Sequence, residues 1–175
     1  CCKLMDRYGY EADVYSGDGG NGLAMQLVTD GLKLQGCGPT FVMARNGILA
    51  ADAAMVAADP AHLSNKCILW HAFARRGLGN AASSGSVNSR TDQTPDFTVP
   101  AECQSFQVQV NVTGPGTVGP SASPVTAAYE DVLGFTLMPD AGGTIVSAEG
   151  CEGTLTGSTF TTRPIVRNCT IAVVF

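Results

Sequence analysis

The chain is short of charge and of histidine, and each shortage removes a class of function. Asp, Glu, Lys and Arg make up 14% of the residues, with ten basic against fifteen acidic and a formal net charge of −5. The basic residues are scattered, so there is no stripe to follow a phosphate backbone and nucleic acid is not an expected partner. No run approaches the roughly 18 consecutive apolar residues of a membrane helix, and no span is expected. The two histidines, His62 and His71, stand apart in the sequence. His62 follows a proline in a loop with no ligand at metal-binding spacing. His71 sits among apolar residues, where a lone histidine is structural. No Cys-x-x-Cys pair occurs, which argues against a zinc ribbon. No Ser/His/Asp arrangement has a motif around it, and no acid pair stands out. The chain begins Cys1-Cys2-Lys3, without an initiator Met or a signal peptide, and reads as a mature product or as a piece of something longer.

Glycine and cysteine are what the chain does have. Twenty-one glycines and few charges suit a secreted, turn-rich protein rather than a disordered one. Seven cysteines is an odd count. Cys37 and Cys67 fall at the starts of neighbouring helices, and Cys151 and Cys169 in a strand-rich region. The expectation is two disulfides, Cys37–Cys67 and Cys151–Cys169, with Cys1, Cys2 and Cys103 unassigned. The alternative is reduced, buried thiols.

The hydrophobic pattern changes period once. Leu4, Met5 and Tyr8 lie at helical spacing before a stop at Gly9. Glu11 to Asn21 carries Asp13, Asp18 and several glycines. Its acids lack the EF-hand spacing, and it reads as a loop ending in an N-cap at Asn21. Leu23, Leu27, Asp30 and Leu34 predict a helix over 23–35. After the Gly36-Cys37-Gly38-Pro39 corner, with Pro39 at the first helical position, Phe41, Ala44, Ile48, Ala51 and Met55 predict a second. The two form an antiparallel hairpin that must bury a shared face. A third helix spans 66–76, with Leu69, Ala72 and Phe73 inward and Gly77 as its left-handed stop. Residues 80–104, rich in Ser, Asn and Thr with Pro95 and Pro100, read as an ordered tail running over a surface or as a linker. From Phe106 the alternation of Phe106, Val108, Val110 and Val112 predicts strands. More strands are expected at 132–138, 144–148, 159–162 and 169–175. The fold class is therefore α + β in two domains: an all-α part at 1–103 and a small antiparallel β domain at 105–175. Asn111-Val-Thr and Asn168-Cys-Thr match the glycosylation acceptor pattern.

The helical half resembles a known family. Tyr8-Gly-Tyr10, Gly19-Gly-Asn21, Asp30-Gly-Leu-Lys-Leu-Gln35, Cys37, Pro39-Thr-Phe41, Ala44-Arg45, Ile48-Leu-Ala-Ala-Asp52, Asn65-Lys-Cys67, Trp70, Ala72-Phe-Ala74 and Arg76-Gly-Leu-Gly79 are similar to the C-terminal helical part of fungalysins. Those are secreted zinc metalloendopeptidases with a thermolysin-like fold. The resemblance implies an all-α C-terminal subdomain whose helices form one wall of the cleft and pack on the helix that bears the zinc motif. It also implies zinc as the cofactor of the parent enzyme, a protein or peptide substrate, and the upstream catalytic part of the same polypeptide as partner.

The family holds zinc with a His-Glu-x-x-His helix and a downstream glutamate. This chain has no such motif, and His62 and His71 match no catalytic position. The expected catalytic and metal residues are none, and the chain alone is expected to be inactive. Gly38 stands where the family has Asn, and Gly47 where it has Ala. The first forgoes a side-chain cap and the second costs about 1 kcal/mol of helix propensity.

The β half is similar to a repeat domain appended to secreted bacterial enzymes, through Gly114-Pro-Gly116, Pro139-Asp-Ala-Gly142, Gly150-Cys151, Phe160-Thr-Thr162, Cys169-Thr170 and Phe175. Together the two halves imply an exported bacterial protease acting outside the cell. The competing expectation is a non-enzymatic secreted module for binding or adhesion, derived from such an enzyme.

Overall fold

The structure is a computed structural model, and it describes every residue except 1, 16, 60, 90, 121 and 122. The chain divides into two compact units, Cys1–Pro100 and Ala101–Phe175.

Among the described residues the first unit holds four helices: α1 (Cys2–Tyr8), α2 (Gly20–Lys33), α3 (Phe41–Ala58) and α4 (Lys66–Ala74). Helix α2 buries Gly20, Ala24, Leu27 and Gly31. Its inward face is thus set one residue away from the expected stripe, and Leu34 lies outside the helix and exposed. Small residues explain the choice. A β-carbon on Gly31 would come within 2.9 Å of the Ile48 backbone nitrogen, and one on Gly47 within 2.7 Å of the Gly31 carbonyl oxygen. Gly47 therefore lets α3 approach α2 backbone to backbone, which offsets its poor propensity. Helix α3 is capped by Thr40, whose hydroxyl accepts from the Met43 N–H at 3.3 Å. Pro39 precedes the cap instead of opening the helix, and Gly38 takes φ +67°, a conformation that asparagine adopts less readily. Among the described residues α3 alone is long and apolar enough to cross a membrane. It also buries Arg45 and Asp52 and packs along α2.

Asn21 is not a cap. Its side-chain amide donates to the Glu11 carbonyl at 2.7 Å and accepts from the Glu11 N–H at 2.9 Å, tying the loop 11–19 to the start of α2. Gly19 occupies the cap position.

Residues 78–98 are no free linker. The Gly79 and Asn80 N–H groups donate to the carbonyls of Asp96 and Thr98, and Ser83 and Thr94 exchange both their bonds. This paired strap belongs to the first unit.

Among the described residues the second unit holds eight strands: β1 (Ser105–Thr113), β2 (Gly116–Gly119), β3 (Val125–Ala128), β4 (Gly134–Pro139), β5 (Ser147–Gly150), β6 (Thr154–Thr156), β7 (Thr159–Thr161) and β8 (Cys169–Val174). They form two four-stranded sheets, ordered β3-β1-β8-β5 and β2-β4-β7-β6. Pairing is antiparallel except between β1 and β8, which run parallel with Val110 opposite Ile171. Alternation buries Phe106 and Val108 on β1, Phe135 and Leu137 on β4, Phe160 on β7, and Ile171 and Val173 on β8. Strands β2, β3 and β6 were not expected from the sequence.

The Cys151–Cys169 disulfide, with Cα atoms 5.3 Å apart, ties the turn after β5 to the start of β8. The expected Cys37–Cys67 bridge is absent: Cys37 is a free, exposed thiol, while Cys67 and Cys103 are both in disulfides. Helix length explains the error. Cys37 lies at the α2–α3 corner, and α4 begins beside Asp52, more than ten residues along α3. At 1.5 Å per residue that is roughly 15 Å or more, beyond the ~7 Å a disulfide spans.

Candidate functional site

Helices α1, α3 and α4 meet at one buried carboxylate. Asp52 lies on the inner face of α3 at 1% exposure. It accepts from the Ser64 hydroxyl at 2.9 Å, from the Asn65 N–H at 3.0 Å, and from the Asn65 side-chain amide at 3.2 Å. Asn65, fully buried, also accepts from the Tyr8 hydroxyl at 2.7 Å. Asn65 is the N-cap residue of α4 but makes no capping bond itself. Asp52 takes that role from a neighbouring helix, its negative charge set against the positive end of the α4 dipole.

A second buried ion fixes the strap. Arg45, 5% exposed, stacks with its guanidinium carbon 4.6 Å from the centre of the Trp70 ring. Its Nη1 donates to the Leu78 carbonyl at 3.2 Å and to the Gly79 carbonyl, and its Nε donates to Asn46 Oδ1 at 3.0 Å. Burial pulls the Arg45 pKa below its ordinary value, opposed by the charge of Asp96. The guanidinium still stays charged at any physiological pH. Asp96 closes the strap, accepting from the Ala81 N–H at 2.9 Å and the Thr98 hydroxyl at 2.7 Å. The Ala81 N–H first, and Thr98 next, hold the Asp96 carboxyl below the usual aspartate range.

Helices α1, α2 and α4 also frame an open groove of about 600 Å³. Leu4, Leu27 and Leu69 form its floor, and Val28 and Phe73 its sides. Arg75 and Arg76, both exposed, stand at its edge. Outside the groove α2 carries on the apolar surface with Met25 (58% exposed) and Leu32 (62% exposed). At the corner Phe41 is 73% exposed rather than inward as its spacing predicts. A second cavity, of about 540 Å³, is lined by Tyr8, Asp18, Gln26 and His62. The His62 Nε2 is buried there with no hydrogen-bond partner among the described residues. His71 lies half-buried on α4.

Among the described residues no three His, Cys, Asp or Glu side chains converge to hold a metal ion. The donor set of a catalytic zinc does not fit the residues described.

The helical unit is also where the chain is like known proteins. Residues 1–82 match the model of the fungalysin metallopeptidase family, M36. Extracellular metalloproteinase 1 of Arthroderma gypseum is 48% identical over 85 residues, which are 49% of this chain and 12% of that protein. The extracellular metalloproteinase MEP of Pyricularia oryzae is 51% identical over 76 residues, 41% of this chain and 11% of that protein. That of Fusarium vanettenii is 41% identical over 106 residues, 57% of this chain and 15% of that protein. The chain thus spans between 11% and 15% of the length of these relatives. All three are fungal, which gives no support to the expected bacterial source. Asp30, Arg45, Asp52, Asn65 and Trp70 carry the fungalysin-like pattern, and four of these five are the buried anchors described above. Sequence reading named them without assigning them a role. A charged residue interrupting an apolar helical face, as Arg45 and Asp52 do, was the available signal.

Proposed function

We propose that this chain is the C-terminal part of a secreted, zinc-dependent metalloendopeptidase that cleaves extracellular proteins. The fungalysin-like helical unit forms a wall of a thermolysin-like cleft, and the β unit is an accessory domain. The observation that carries this reading is that the family match falls on the helical unit and includes its buried polar anchors. Those anchors fix where the helices sit, so the outer surface of α2 and α4 is held rigid for whatever lies against it. The chain is extracellular, like the relatives whose names say so. Zinc and its ligands belong to the upstream part of the polypeptide.

The test has two arms. The reading frame upstream of Cys1 should encode a His-Glu-x-x-His motif, and the complete polypeptide should hydrolyse casein in a manner abolished by a chelator and restored by zinc. The purified 175-residue chain should do neither. Chelator-sensitive turnover by the 175-residue chain would overturn the assignment of the chemistry to the upstream part. An upstream frame without the motif would favour the non-enzymatic binding module instead.

A further inference from the structure

We infer that the cavity beside His62 holds the amino-terminal residue of a peptide, with the α-ammonium at Asp18 and an apolar side chain against Leu23, Met55 and Leu63. The site follows from the helical unit alone. That its peptides are products of proteolysis rests on the reading above.

The cavity, about 540 Å³, lies within the first unit, where the loop before α2 and the segment after α3 meet the first turns of α2. Leu23, Met55 and Leu63 give it an apolar wall, with Leu63 51% exposed. A concave, partly apolar space with a few polar groups is the usual form of a small-ligand site.

Those polar groups are acceptors. Asp18 is exposed and has no ion pair among the described residues. Tyr8 donates its hydroxyl proton to Asn65, so its oxygen is left to accept. Gln26 turns its amide nitrogen to Asp30, which leaves its carbonyl oxygen uncommitted. A β-carbon on Gly22 would meet nothing nearer than the Gly17 carbonyl oxygen at 3.7 Å and that of Val14 at 3.9 Å. Neither carbonyl accepts a backbone hydrogen bond among the described residues. The buried His62 Nε2 also has no partner among them. Buried polar atoms are nearly always paired, and an imidazole nitrogen can take a proton donor.

No Lys or Arg lines this space among the described residues. A ligand carboxylate would therefore face Asp18 with no cation to offset it. An ammonium supplies three donors and the opposite charge. A bare metal ion would leave the apolar wall uncovered, and only one carboxylate lines the cavity. An α-ammonium with an apolar side chain satisfies both halves of the lining. Peptide amino termini and free amino acids share that chemistry, but the free acid brings a carboxylate that the lining does not pair. Each peptide-bond cleavage releases one new amino terminus, so an extracellular protease makes this ligand.

The experiment titrates the 175-residue chain with leucinamide, Leu-Gly-Gly, free leucine and N-acetyl-leucinamide, followed by ligand-detected NMR. Leucinamide and Leu-Gly-Gly should bind alike and free leucine more weakly. N-acetylation, which removes the charge, should weaken binding about tenfold or more. Asp18→Asn should do the same, with the melting of the chain by Trp70 fluorescence unchanged. Gly22→Leu should abolish binding by filling the cavity, since its β-carbon meets only ordinary contacts. It decides the matter if the Asp18 variant fails to fold.

The inference is overturned by an absence of saturable leucinamide binding in the millimolar range, or by indifference to N-acetylation or to Gly22→Leu. Free leucine binding as tightly as Leu-Gly-Gly would overturn the assignment to peptide termini. Casein hydrolysis by the complete polypeptide is read separately. Leucinamide binding beside an inactive polypeptide refutes the protease reading alone, and an active polypeptide whose 175-residue part binds nothing refutes the site alone.

Discussion

Asp52 shows how a single residue bears the helical unit. Its carboxylate accepts the Asn65 N–H, and Asn65 in turn receives the Tyr8 hydroxyl. Truncation therefore leaves a buried donor unpaired and uncouples α1 from α3. Asp52→Ala should cost about 3 kcal/mol, as expected for a charged acceptor lost from a buried network. Asp52→Asn keeps one acceptor and should cost less. Trp70, the single tryptophan, lies in the same unit and reports its unfolding by fluorescence. Equal stability of the alanine variant and the parent would show that the network is not what joins these helices.

Asp96 gives a pH-dependent counterpart. The Ala81 N–H and the Thr98 hydroxyl depress its folded pKa, so the unfolded chain binds a proton more readily. The stabilisation is therefore present above the ordinary aspartate pKa near 4 and is lost as pH falls through and below it. Asp92, held low first by the Ser86 N–H, acts in the same direction on the same strap. The protection factors of Gly79, Asn80 and Ala81, that is, exchange rates corrected for the intrinsic slowing in acid, should fall on acidification below about pH 4. Asp96→Asn should remove most of that dependence. Protection factors flat across this range in the parent would refute the role given to Asp96.

At the scale of elements, the packing of α2 on α3 turns on two glycines. Ala at 31 would drive its β-carbon into the Ile48 backbone, which has no flexible end to give way. Gly31→Ala should destabilise by about 1–3 kcal/mol despite a gain of roughly 1 kcal/mol in helix propensity. Gly47→Ala meets the Gly31 carbonyl oxygen, also backbone, at 2.7 Å and the Gln35 side chain at 3.2 Å. Its cost should be at least as large. Chemical denaturation of both variants decides, and a stabilised Gly31→Ala would refute the close crossing.

These glycines also show why the helices were legible in the sequence while their faces were not. Period and stop signals locate α1 to α4 within a few residues. The inward face of α2 instead depends on where α3 comes closest, and a glycine contact leaves no apolar signal. The same holds for Asn21 and Thr40. Both have cap chemistry, and only the path of the chain decides that Thr40 caps and Asn21 clamps a loop. Strands β1, β4, β7 and β8 were legible where they alternate. The parallel β1–β8 pair was not, because pairing direction has no local signature.

At the scale of the whole chain, the two units differ in how much they need from outside. The first unit presents Met25, Leu32 and Phe41 to solvent along one helix pair. The second encloses Phe106, Phe135, Phe160 and Ile171 at 3% exposure or less. It also has its own disulfide, which closes a loop of 18 residues. In the chain-entropy model that closure contributes about 3 kcal/mol, a large share of the stability of a domain this small. Residues 105–175 should therefore melt cooperatively as an isolated fragment, and Cys151→Ser with Cys169→Ser should lower or abolish that transition. Residues 1–103 alone should bind apolar dye and melt broadly. Residues 94–98 are paired into the first unit, so proteolysis should begin in the exposed turn around 84–89 and not throughout 80–104. Mass spectrometry of early fragments tests the site, and calorimetry of the two pieces tests autonomy. A helical fragment that melts sharply beside an unfolded β fragment would reverse the assignment of which unit stands alone.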